Sequence, residues 1–361
     1  MTEGNSKKQV KKHVLFLEAG GWAREHWIER VLPDFKDKLE VAGLVDINKA
    51  VLKNSGKVLG LRQNRLFTSM DEAFDKVSAD FCVIVLPPYV HKKAVMLAVE
   101  KNTPVLSEKP ITDRYEDTIA VYKTVMEKHL KMVVIQNYRY ESPILTLKKV
   151  LQEGKLGKID YIISRYASDY RESGLWDVTS AYKGYYPLLV EGSIHHFDMI
   201  RNLSGANCKS IFCTIWNPKW SNFENTVNSL TMIEMTNGVK AIYEENTLAA
   251  GYISPWHQEY YRVECEKGSV VVNEYDHSVR VYTRNKFGRP IIKEIPPVPA
   301  LPTGHHQILR DFLAWLDGGE IPETALEKNI HSALMVFAAI TAKEKNQPQL
   351  LKDYLPDNYR I

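Results

Sequence analysis

Thr103-Pro104-Val105-Leu106-Ser107-Glu108-Lys109-Pro110 is a short apolar run that ends in an acid, a lysine and a proline. Pro104 to Leu106 predicts a buried strand, and in an open α/β sheet the chemistry gathers at the carboxyl ends of the strands. Proline fixes its own φ and pushes the preceding residue out of the helical region. Lys109 is therefore expected to stay extended at the strand end, as a proton donor held clear of the next helix. Glu108 alternates to the other side of the strand, toward a ribose hydroxyl or toward solvent cations. An ordinary charged strand-to-helix loop would read the same way, so the neighbouring segments have to discriminate.

Upstream, His13-Val14-Leu15-Phe16-Leu17 is a continuous apolar strand that runs into Glu18-Ala19-Gly20-Gly21-Trp22-Ala23, with a helix expected from Ala23 to Leu32. Strand, glycine turn and helix are the context of a dinucleotide fingerprint, because the helix N-terminus turns unpaired N–H groups toward a diphosphate. The match is partial: Gly20 takes the second glycine position and Ala23 the third, but Glu18 takes the first. A carboxylate there opposes a diphosphate unless it points away. The second strand, Glu40 to Val45, ends in Asp46, a little over twenty residues after the turn, where an acid accepts from both ribose hydroxyls and repels a 2′-phosphate. NAD is therefore expected over NADP. An acid at a strand end also serves as a helix cap.

A helix over Met70–Lys76, a strand over Asp80–Leu86, a helix over His91–Lys101, a helix over Tyr115–Lys128 and a strand over Lys131–Ile135 complete the pattern. Leu86, Pro87 and Pro88 close their strand as a flat apolar wall beside the cofactor. The alternation predicts a doubly wound parallel Rossmann sheet. Beyond it, Ile144–Glu153 reads as a helix and Ile159–Ala167, Ser210–Trp216, Asn228–Met235, Lys240–Glu245, Glu259–Glu266, Ser269–Glu274 and Val279–Arg284 as strands. Helical periodicity returns over His306–Leu316 and Asn329–Lys343. The expected fold class is α/β: a Rossmann domain over 11–136, then an α/β domain over 137–361 with a large, mainly antiparallel sheet.

Composition sets bounds on function. The 361 residues suit two domains, and 44% apolar with 25% charged residues is the balance of a soluble globular protein. A net charge of +3 leaves no basic surplus of the kind that tracks nucleic acid. Neither a membrane-length apolar run nor a leader follows the basic Lys7, Lys8, Lys11 and Lys12, so a cytoplasmic location with no membrane partner is expected. Cys82, Cys208, Cys213 and Cys265 have no metal or redox spacing.

In Pro187 to Arg201 the chain is expected to begin extended and become helical, with Glu191 and His195 four apart on one helix face and Asp198 on nearly the same stripe. A carboxylate beside an imidazole fixes its tautomer and raises its basicity, as removal of an alcohol proton requires. His196 should face elsewhere. The loop from Asp169 to Val178 holds one indole among polar groups, which suits stacking on the C–H face of a sugar or cyclitol. Arg165, Trp176 and Asp177 are candidate substrate contacts, and an anchoring role for Trp176 fits equally. No metal site is expected, since no zinc spacing accompanies the histidines.

These motifs together resemble the Gfo/Idh/MocA oxidoreductases. The resemblance rests on Gly20-Gly21, Asp46, Pro87-Pro88-x-x-His91, Ser107-Glu108-Lys109-Pro110, Asn137-Tyr138-Arg139-Tyr140 and Glu191-x-x-x-His195-x-x-Asp198, in the family's order over nearly the whole chain. It implies a nicotinamide dinucleotide held by Gly20, Gly21, Trp22, Ala23, Asp46, Leu86, Pro87, Pro88, His91, Glu108, Lys109, Asn137 and Arg139. Catalysis would fall to Lys109 and His195 with Glu191, at a position where the family usually has Asp. The expected activity is hydride transfer from a secondary alcohol of a sugar or polyol to NAD by a homo-oligomer, dimer or tetramer, built on the large sheet. Redox-neutral elimination or epimerisation with retained NAD is the rival within enzymes, and a non-catalytic cofactor or sugar sensor, suggested by Glu18, the rival outside them.

Overall fold

The computed structural model describes residues 10–170, 185–221, 223, 227–251, 254 and 257–355. They gather into two units: Met1–Thr112 with Glu116–Ile135 and Leu309–Glu327, and Asp113–Tyr115 with Gln136–Ile308 and Lys328–Ile361.

The first unit is built on six parallel strands, β1 (Lys12–Leu17), β2 (Leu39–Val45), β3 (Leu66–Phe67), β4 (Phe81–Ile84), β5 (Val105–Ser107) and β6 (Met132–Val134), in the order β3-β2-β1-β4-β5-β6. Val14 to Leu17 and Phe81 to Ile84 are buried on both faces, which is why they read as unbroken apolar runs. The order reverses beside β1, so the turn after β1 opens at the switch point where such sheets take ligands. Helices α1 (Lys49–Val58), α2 (Met70–Lys76), α3 (Pro88–Glu100) and α4 (Tyr115–Glu127) connect the strands. α1 carries a weak sequence signal because, beside Leu52, its inward face is made of small residues. Ser55 and Gly56 are buried there, and a Cβ on Gly56 would stand 2.7 Å from Leu66 Cδ2.

Ala23–Val31 is helical as expected, but wound as a π-helix with i→i+5 bonding, Leu32 N–H donating to Trp27 O. Arg24 and Glu29, five apart, pair at 2.8 Å in keeping with that winding. Leu309–Glu327 joins this unit, although the expected domain over 137–361 included it. Val134 N–H donates to Thr324 O at 3.0 Å and Phe312 packs edge-on to Phe81 at 5.4 Å.

In the second unit, β7 (Ile159–Ala167), β8 (Cys208–Trp216), β9 (Asn228–Met235), β10 (Lys240–Asn246), β11 (Tyr260–Cys265), β12 (Gly268–Val272), β13 (Val279–Arg284), β14 (Pro290–Ile295) and β15 (Gln349–Leu350) form one sheet, ordered β14-β13-β12-β11-β7-β10-β9-β8-β15. It is antiparallel except where β10 runs parallel to β7. One face takes α5 (Ser142–Gln152) against β12 and β13 and α6 (Ile194–Ser204) against β7. The other carries Leu230, Met232 and Ile242, 48%, 64% and 47% exposed, in adjoining register on β9 and β10. Helices α7 (Gly304–Leu316) and α8 (Leu326–Lys345) each begin or end across the division between units. No described helix is long and apolar enough to cross a membrane.

Candidate active site

In the first unit the residues singled out from sequence collect at the carboxyl edge of the parallel sheet. Asp46, at the end of β2, is buried and accepts from Ala19 N–H at 3.1 Å through Oδ2 and from Asn48 N–H at 2.7 Å through Oδ1. It is not the cap of α1; Asn48 is, taking the N–H groups of Ala50 and Val51. A side chain on Gly20 would have its Cβ 3.0 Å from Val51 Cγ1, whereas Gly21, at φ +44°, has no neighbour within 4 Å. A bare turn at a helix N-terminus, next to a buried carboxylate that is already aimed by backbone N–H groups, fits the diphosphate and adenosine ribose of a dinucleotide.

Glu18 departs from that pattern. It holds φ at +103°, a region that favours glycine. Burial and a hydrogen bond and charge from Asp46 push its carboxyl up to about 7.

Lys109 follows β5, half-buried and clear of α4, which begins only at Tyr115. Glu108 is placed differently from the solvent-facing reading: it is buried, and its Oε1 accepts from both Trp22 Nε1 (3.1 Å) and Trp27 Nε1 (2.9 Å). Residues five apart stack one above the other in a π-helix, and this winding brings both indoles to one carboxylate. Trp22 also lies flat on His26, 4.3 Å between centroids. His91, expected at the cofactor, is wholly buried in α3 as an internal strut. Its Nδ1 lies 2.9 Å from Pro110 O and its Nε2 2.6 Å from Leu86 O. It thus ties the Leu86-Pro87-Pro88 turn to the Lys109-Pro110 segment. Burial lowers its pKa, against the opposing pull of those carbonyls.

In the second unit the run before His195 is helical from its start, not extended: Leu188–Ser193 is a π-helical turn leading into α6, with Glu191 half-buried within it. His195 is buried and lies flat on Tyr138, 4.2 Å between centroids and 6° between planes. Tyr138 had no signal of its own in the sequence beyond its place beside Arg139. Burial followed by the nearby Glu259 charge raises its pKa well above the ordinary phenol value. Glu259 accepts from His257 N–H at 3.2 Å and lies 3.6 Å from His196 Nε2. His196 does face elsewhere, stacked between Tyr166 and Tyr243 with Nδ1 2.6 Å from the Tyr243 hydroxyl. Beneath it Glu245 accepts from Ser193 Oγ, and burial pushes its carboxyl up to about 8. Glu141, near His257, is pushed up to about 6, by burial first and the Glu259 charge second.

Three expected contacts, Arg139, Asn137 and Arg165, are placed otherwise. Arg139 makes a buried bidentate pair with Asp198, Nε to Oδ2 at 2.6 Å and Nη2 to Oδ1 at 2.7 Å, and Ser332 Oγ donates to the same carboxylate. Asn137 occupies a 3₁₀ turn whose carbonyl stands 2.0 Å from where a Cβ on Gly304 would be. Arg165 alternates on β7 with the inward Ser164 and Tyr166, and its guanidinium meets Glu244 at 3.3 Å and Glu274 at 3.7 Å on the face away from α6. The pleat therefore removes it from the side of the sheet on which His195 lies. Trp176 and Asp177 lie outside the described residues. Among the described residues no group of three or more His, Cys, Asp or Glu could hold a metal ion.

Comparison with known proteins agrees with this architecture. Residues 13–136 match the model of the oxidoreductase family with an NAD-binding Rossmann fold, and residues 144–271 match the GFO/IDH/MocA C-terminal domain. Over 356 residues, 96% of this chain and 98% of the relative, it is 30% identical to the uncharacterized protein y4oX of Sinorhizobium fredii. Over 183 residues, half of each chain, it is 23% identical to inositol 2-dehydrogenase 1 of Paenarthrobacter aurescens. The structure of a levoglucosan dehydrogenase in complex with NADH superposes with a TM-score of 0.80, covering 95% of this chain and 99% of that one at 18% identity. The chain belongs to the Gfo/Idh/MocA family of oxidoreductases, with an NAD-binding Rossmann fold in its first unit.

Proposed function

We propose that the protein is an NAD-dependent dehydrogenase of a sugar or polyol, acting on a secondary alcohol. The observation that carries this reading is Lys109, presented past β5 at the same sheet edge as the Gly20–Gly21 turn and Asp46. When bound, a nicotinamide dinucleotide supplies the hydride acceptor at C4. Lys109 and His195 share the acid/base work on the alcohol proton, and Glu191 orients the imidazole. His195 is held by its stack on the buried Tyr138. The sugar class is suggested by relatives that act on inositol and by the levoglucosan dehydrogenase.

Incubation with NAD or NADP and a panel of hexoses, uronates and inositols, followed by absorbance of reduced nicotinamide, tests the reading. NAD is expected to be preferred, because Asp46 accepts from the ribose hydroxyls and repels a 2′-phosphate. Asp46→Ser should narrow that preference. Equal use of both cofactors by the unmodified protein removes the role given to Asp46, and no reduced nicotinamide with any member of the panel defeats net oxidation.

The apolar strip Leu230, Met232 and Ile242 supports assembly of two or four copies through the open sheet face. Met232→Arg should yield monomers in sedimentation velocity. A monomeric parent protein, or a variant of unchanged size, rules this out.

A further inference from the structure

Glu18 stands where the fingerprint has its first glycine, with φ at +103°. A side chain in that conformation is strained and persists only where its surroundings hold it. It bends back over the turn: Oε1 accepts from Gly20 N–H at 3.4 Å and lies 3.7 Å from the point where a Cβ on Gly20 would be, while Asp46 Oδ2 lies 3.8 Å from the same point. Two carboxyls thus converge on the second glycine position of the turn, beside Val51. Asp46 accepts from two backbone N–H groups at 3.1 and 2.7 Å, whereas the Gly20 N–H reaches Glu18 only at 3.4 Å. Glu18 is the member suited to keep the proton.

We propose that Glu18 makes dinucleotide binding pH-dependent: its carboxyl shares one proton with Asp46 while the cofactor is bound, so that binding takes up a proton. This rests on the NAD reading above. Among the described residues, the charged group facing Glu18 from β2 is Asp46. From α1 the turn is met by uncharged side chains, Val51 beside Gly20 and Ser55 donating to Ala19 O, with Lys49 and Lys53 exposed, and in the π-helix Arg24 is paired with Glu29. Burial, and then Asp46, raise the Glu18 carboxyl to about 7 before any ligand arrives. A diphosphate adds negative charge and raises it further, so affinity is full below that value, falls as pH rises through it, and levels off above the bound-state value.

Fluorescence titration of the full chain with NADH between about pH 6.5 and about pH 9 tests this, with calorimetry near neutrality in buffers of different ionisation heat. The parent protein should lose affinity on the order of tenfold across the range and take up roughly half a proton per site. Glu18→Gln should bind with no pH dependence in this range and no proton uptake. Glu18→Gly, which suits the backbone, should behave as Glu18→Gln does. NADH binding by the parent that is flat with pH, or proton uptake that persists in both variants, overturns the proton-sharing role and leaves the NAD reading standing. Failure of the parent to bind NADH at any pH overturns both.

Discussion

Lys109→Ala should lower turnover on the order of a hundredfold or more while NADH affinity changes little, since a positioned acid/base group contributes about that much to rate. The lysine is half-buried at a strand end, no helix absorbs it, and His91 braces the segment from beneath through the carbonyls of Leu86 and Pro110. Lys109→Arg separates charge from proton transfer, because guanidinium keeps the cation but does not give up its proton near neutral pH. If Lys109 donates and accepts the alcohol proton, the arginine variant should be nearly as slow as the alanine variant. If it only stabilises negative charge on the oxygen, arginine should recover much of the rate. Steady-state turnover together with NADH titration decides, and an alanine variant of near-normal turnover removes Lys109 from the chemistry.

Arg139→Ala should destabilise the protein by about 3–5 kcal/mol, because it strands Asp198 as a buried charge without its bidentate partner. Asp198 is 1% exposed, and Ser332 and the more distant Arg201 cannot replace two charge-assisted bonds. Asp198→Asn added to Arg139→Ala should recover part of the loss. Urea unfolding followed by circular dichroism measures each case. A contact to the cofactor, as the sequence pattern implies for Arg139, would instead weaken NADH binding and leave unfolding unchanged, so the two measurements assign the residue.

Composition along the chain was enough for the two architectures. Strands covered on both faces must be apolar throughout, as in Val14–Leu17, and strands covered on one face must alternate, as in β9 and β10, so each sheet writes its environment into local pattern. Elements with a weak pattern were not legible: α1, whose inward residues beside Leu52 are small, and β14, an edge strand whose residues are almost all exposed. The order of short motifs likewise carried the family and the positions of Gly20, Asp46, Lys109 and His195.

Partnership was not legible in that order. Arg139 and Asp198 lie 59 residues apart, and Glu108 and Trp27 lie 81 apart, so no local rule joins them. Trp22 and Trp27 reach one carboxylate only because the helix after the glycine turn is wound with five-residue bonding, a choice that packing makes and intrinsic propensity does not. Arg165 left the side of His195 because a strand's alternation assigns faces only once the covering helix is known. Motifs survive as local chemistry, while a side chain's partner depends on which distant backbone folds against it.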